Sequence, residues 1–92
     1  MFTVGDLYFK CPVRELANVY ESHGKGNVYT YAFNYRHSAN PWPAWMGALH
    51  GYEIELMFGQ PHNHESRFKY NDTDRAVSDS WMTYLAEFAN YG

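Results

Sequence analysis

The sequence predicts an α/β fold, on three observations. Val28 to Tyr35 (Val-Tyr-Thr-Tyr-Ala-Phe-Asn-Tyr) is β-branched and aromatic on both of its alternating faces, which suits a strand covered on both sides in a parallel or mixed sheet. Apolar residues at helical spacing flank it, Val13, Leu16, Ala17 and Tyr20 before and Val77, Trp81, Tyr84, Leu85 and Phe88 after. Prolines and glycines break the stretch between strand and last helix into loops.

Taken in order, Cys11 to His23 reads as a helix with Pro12 at its first helical position, where a missing N–H is tolerated. Gly24-Lys25-Gly26 ends it, and the predicted strand follows. Pro41 and Pro43 surround Trp42, so Ser38 to Trp45 is a loop through which neither helix nor ladder can run. Gly47 and Gly51 bracket Ala48-Leu49-His50 and place His50 on a turn shortly after the strand. Tyr52 to Phe58 is too short an apolar run to fix its period; helix and strand both fit, and a helical turn is the favoured reading. Gln60 to Tyr70, polar and interrupted by Pro61, is a surface loop. Asn71 or Thr73 then caps a last helix that carries Asp72 and Asp74 near its positive end. No repeat, low-complexity tract or linker divides the chain.

Composition narrows the function classes. A hydrophobic fraction of 46% with 20% aromatics excludes a disordered segment. Nine Tyr and three Trp also ask for more surrounding core than 92 residues supply, which marks the chain as a piece of a larger body. A net charge of −3 without any Lys/Arg cluster removes nucleic acid as a partner. No apolar run approaches the roughly 18 to 20 residues that span a bilayer. Met1 to Lys10 lacks the pattern of an export signal, so such a signal is expected elsewhere in any secreted parent. Cys11 is the single cysteine, so no internal bridge is available. A buried thiol and half of a disulfide to a cysteine outside the chain are both open readings; a catalytic thiol is the weakest, since Lys10 and Pro12 supply no evident base.

His50, set between glycines with Trp42, Trp45, Met46 and Tyr52 nearby in sequence, has the setting of a general base beside an aromatic pocket. An ordinary histidine packed in a turn fits the same spacing, and spacing alone favours it. His62-Asn63-His64 offers two ligands in a loop with no adjacent Cys or third His, and is not read as a metal site. His23 and His37 have no companion residues and are read as surface positions.

The stretch Phe33-Asn34-Tyr35-Arg36, followed by Trp42-Pro43-Ala44-Trp45-Met46-Gly47-Ala48-Leu49-His50-Gly51-Tyr52-Glu53-Ile54-Glu55-Leu56-Met57-Phe58-Gly59, resembles the histidine region of cholinesterases in the type-B carboxylesterase family. The likeness extends more loosely to Val4-Gly5-Asp6 with Cys11-Pro12 and to Trp81 through Gly92, leaving His62 to Lys69 uninformative. It implies an α/β-hydrolase fold of which residues 1–92 are the C-terminal part of a single domain. That part would hold one strand, the histidine loop and flanking helices, and would be incomplete on its own. In that family the triad runs Ser, Glu, His in chain order, and His50 takes the third place. No Gly-x-Ser-x-Gly elbow or oxyanion-hole glycine run occurs in these residues. The resemblance therefore implies ester hydrolysis by a full-length parent and none by this chain alone.

The same resemblance implies further roles. Trp42, Met46, Leu49 and Tyr52 match positions that line or support a choline pocket, although core packing suits Met46 and Leu49 equally well. Glu53 matches a buried acidic position in a hydrogen-bonded network behind the histidine, whereas Glu55 reads as a solvent-facing charge. Cys11 matches a half-cystine whose partner lies beyond the last helix. Asn71-Asp72-Thr73 is a glycosylation sequon that helix capping explains equally well. Both features go with a secreted or cell-surface parent. The implied substrate is a choline or related carboxylic ester, with no cofactor and no metal, and oligomeric assembly of the parent is compatible with the family. His-Gly-Tyr favours cholinesterases over relatives with Asp after His-Gly; a non-catalytic adhesion or binding member of the same fold, or a truncated product, is the rival.

Overall fold

The computed structural model describes residues 2–92, which form two compact units, a first that runs to Ala32 and a second over Phe33–Gly92. In the first, helix α1 (Phe2–Gly5), a π-helical segment (Asp6–Lys10) and helix α2 (Cys11–His23) follow one another with right-handed helical dihedrals at the junctions, Gly5 and Lys10. The wide turn lies directly ahead of Pro12. A proline ring excludes the carbonyl four residues back, here that of Tyr8, and has no N–H to bond it. The widened turn, closed by the Cys11 N–H donating to the Asp6 carbonyl, accommodates this. Helix α2 has the predicted bounds, but Pro12 lies inside a longer helical run rather than at its beginning. The run stops at Gly24, whose N–H donates to the Tyr20 carbonyl at 2.7 Å.

The α/β expectation is overturned, because there is no strand among the described residues. Val28–Tyr35 is irregular. Its composition sets only a preference for extended backbone, whereas a strand exists through hydrogen bonds to a neighbouring strand. Every regular element described is helical, so the run has nothing to pair with, and the turn holding His50 follows a loop.

In the second unit, helix α3 (Glu53–Met57) packs on helix α4 (Asp72–Tyr91). Leu56 is fully buried and Trp81 is 8% exposed; each contributes about 2 kcal/mol by leaving water. The Ser78 hydroxyl donates to the Leu56 carbonyl at 2.6 Å, which satisfies a carbonyl in the last turn of α3. The Phe33 ring lies 5.6 Å from that of Trp81. Asn71 is the cap of α4: its side-chain oxygen accepts the Asp74 N–H at 2.8 Å while the Asp74 carboxylate accepts the Asn71 N–H at 2.9 Å, a reciprocal capping box. Along the predicted apolar stripe Val77, Trp81 and Leu85 are at least half covered, but Tyr84 and Phe88 stand mostly exposed.

Candidate functional site

His50 sits, exposed, at the start of a turn that leads into α3. Gly47 has φ 66° and Gly51 has φ 91°, left-handed values that side chains with a Cβ resist. The two glycines thus allow the sharp reversals on either side of Ala48-Leu49-His50. The loop that presents this turn is held by Arg36. Its guanidinium donates to the carbonyls of Trp42 at 2.5 Å, Gly47 at 3.1 Å and Asn40 at 3.4 Å, using the several fixed donors that only arginine carries. Asn40 adds a second tie, its side-chain oxygen accepting the Trp42 N–H at 3.0 Å. Across the turn, the Trp42 indole N–H donates to the Tyr52 hydroxyl at 2.6 Å. Trp42 and Tyr52, which the resemblance places at a choline pocket, are therefore joined directly, on either side of His50 in sequence.

Beneath Tyr52 lies a polar cluster that local pattern does not reveal. His37 is 1% exposed, with its ring 5.7 Å from the Tyr52 ring and 5.5 Å from the Tyr70 ring, and its Nε2 is 3.5 Å from a Glu55 carboxylate oxygen. The Tyr70 hydroxyl donates to that same oxygen at 2.5 Å. Burial first, and then the hydrogen bond to Glu55 and the charges of Glu55 and Asp74, push the Tyr70 hydroxyl well above the usual tyrosine range. The surface reading of His37 is overturned, and so is that of Glu55, which is tied into the cluster. His23 is exposed as expected.

Asp74 completes the framework. Its fully buried carboxylate accepts from the Tyr35 hydroxyl at 2.7 Å, the Ser38 N–H at 3.0 Å, the Ser38 hydroxyl and the Asn71 N–H. Burial pushes the carboxyl up, but the bonds from Ser38, Asn71 and Tyr35 outweigh it and hold the group below the usual aspartate range. The Tyr35 hydroxyl is in turn pushed up to about 12 by burial and by its bond to Asp74 and that residue's charge.

Of the other residues singled out, Met46 and Leu49 are half-buried on the loop. Glu53 is half-buried in the first turn of α3, and the carboxylates in the hydrogen-bonded clusters are Glu55 and Asp74. The Cys11 thiol is free and exposed on α2, which removes the buried-thiol reading. His62 faces Asp79 at 2.9 Å. An open groove lined by Ile54, Glu55, Phe58, Gln60, Phe68 and Tyr70 lies beside the Glu55 cluster. Arg36 stands inside the quoted motif and was therefore within reach of sequence reasoning; His37, Glu55 and Asp74 meet only through packing.

Against known proteins, the model of the carboxylesterase family matches residues 2–92. Acetylcholinesterase 1 of Caenorhabditis elegans is 47% identical over 89 residues, 97% of this chain, and acetylcholinesterase 1 of Caenorhabditis briggsae is 45% identical over the same span. The chain spans 14% of the length of each of these curated relatives.

Proposed function

The chain belongs to the carboxylesterase family, and from that premise we propose that it is the C-terminal part of a single-domain serine ester hydrolase that acts on choline or related carboxylic esters. The observation that carries the reading is similarity along 97% of the chain to two acetylcholinesterases. An exposed histidine on a turn that lies, in sequence, between the joined Trp42 and Tyr52 supports it.

In this reading His50 takes the proton from a serine hydroxyl, supplied by a part of the protein outside these residues, as that oxygen attacks the ester carbonyl. It then returns the proton to the departing alcohol. A carboxylate from outside the chain orients the imidazole. The Trp42–Tyr52 pair lends an aromatic surface to the cationic head group, an attraction of about 0.5 to 2 kcal/mol per well-placed ring, with Met46 and Leu49 filling the space behind. Cys11, exposed and free here, is the half-cystine of an extracellular parent, and Asn71 its glycosylation site.

The test is His50→Ala in the full-length protein that carries this segment. Loss of a triad member lowers kcat by about four to six orders of magnitude. Steady-state hydrolysis of a choline ester that stays within tenfold of the unmodified protein would remove His50 from the reaction.

A further inference from the structure

His37 meets the aromatic pair directly at Tyr52 and reaches Trp42 only by way of Asn40. Its ring is enclosed by Tyr52 and Tyr70, and its carbonyl accepts the N–H of Asn40 at 3.2 Å, the residue whose side chain fixes the Trp42 backbone. Neither ring nitrogen of this buried histidine makes a hydrogen bond among the described residues. What faces Nε2 is Glu55, at 3.5 Å. A buried polar ring left in such a place calls for an explanation beyond filling space, since an apolar ring would fill it at lower desolvation cost. Its position supplies one. Glu55 sits on α3 and is held by Tyr70, so the carboxylate is a fixed point. The imidazole turned toward it is a fixed floor for the Tyr52 ring, whose hydroxyl receives the Trp42 indole N–H.

We propose that His37, held against Glu55, is a positioning residue for the Trp42–Tyr52 pair and thereby sets the preference of the site for cationic over neutral esters. The inference rests on the esterase reading above. His37 touches no reacting atom in it; its side chain acts through Tyr52, and its effect belongs to binding of the head group rather than to proton transfer at His50.

The experiment compares unmodified full-length protein with His37→Phe, which keeps a ring but loses the polar face toward Glu55, and with His37→Asn, which keeps polarity in a smaller side chain. Two readouts are taken: kcat and KM for a choline ester and its uncharged isostere, and the Trp42 indole N–H resonance, assigned by its loss in Trp42→Phe. His37→Phe is expected to raise KM for the cationic ester roughly three- to tenfold, inside the span of about two- to thirtyfold that one cation–aromatic contact covers. Its kcat and its constants for the neutral ester should stay within twofold. The Trp42 indole N–H should move toward its solvent-exposed position and exchange faster, with partial recovery in His37→Asn. Equal losses for both esters, or an unmoved indole resonance in a folded variant, would overturn the proposal. If His37→Phe does not fold, His37→Asn decides by the same two readouts. If the unmodified protein hydrolyses no ester, the esterase reading has failed by itself, and the indole resonance still decides whether His37 positions the pair.

Discussion

Asp74 draws the Tyr35 hydroxyl, both donors of Ser38 and the Asn71 N–H onto one buried carboxylate, and a definite pH dependence follows. Its pKa is lower folded than the ordinary 3.8, so below that value the unfolded chain binds the proton more readily than the folded one. The stability that the carboxylate contributes is complete above the ordinary value and is lost as the pH falls through the lower, folded one. Asp74→Asn should flatten this acid limb, measured as the urea midpoint across roughly pH 5 to 2. Asp74→Ala, which strands several donors, should cost about 3 kcal/mol at neutral pH. An unchanged acid limb in the Asn variant would place its origin elsewhere. At this scale the sequence was only partly legible. Spacing offers Asn71 or Thr73 as the cap and Asp74 as a charge near the positive end of the helix; the choice of Asn71 and its reciprocal bond with Asp74 come from the structure. The carboxylate's other partners, Tyr35 and Ser38, lie far upstream, and no periodicity connects them. His37 and Glu55 were unreadable for the same reason: separated in sequence and each ordinary in isolation, they acquire meaning only by meeting.

Helices were legible because their determinants are local. Spacing of Val13, Leu16, Ala17 and Tyr20 and the glycine stop gave α2 its observed bounds, and α3 took the helical option. The failure at Val28–Tyr35 is of the opposite kind. Side-chain type there reports how the backbone would behave beside a neighbour, and the pairing partner of a strand cannot be read from the strand itself. Helix termination can be tested directly. A Cβ added at Gly24 would lie 2.6 Å from the Tyr20 carbonyl oxygen, nearer than van der Waals contact allows. Gly24→Ala should therefore displace the last turn of α2 and weaken it by about 1 kcal/mol. Amide exchange at the final residues of α2 would show it as lost protection, and unchanged protection there would mean that the backbone absorbs the methyl freely.

Taken as a whole, the chain buries few large apolar side chains; Leu56 and Trp81 are the buried hydrophobic ones among the described residues. Leu7, Tyr8, Leu16 and Tyr20 in the first unit and Phe58, Tyr84, Phe88 and Tyr91 in the second are more than half exposed. Surfaces of this kind seek cover, in accord with a chain that spans 14% of its acetylcholinesterase relatives and with the sequence-based view that so many rings require a larger body. The isolated 92-residue chain should accordingly self-associate. Sedimentation velocity would show an average mass that rises with concentration, and a single monomeric boundary up to high concentration would contradict it. The scarcity of core around so many rings was legible from composition. Its division at Ala32 was not, since no linker-like sequence marks that place.

The bond from Trp42 to Tyr52 also limits what chemistry remains to the indole. Tryptophan owns one polar hydrogen and no acceptor, and here that hydrogen is committed. A guest approaching Trp42 can be greeted only by the flat electron cloud of the ring. A carbonyl finds no donor there, whereas a methylated ammonium, which has no strong donor of its own to satisfy, is drawn to the electron-rich face.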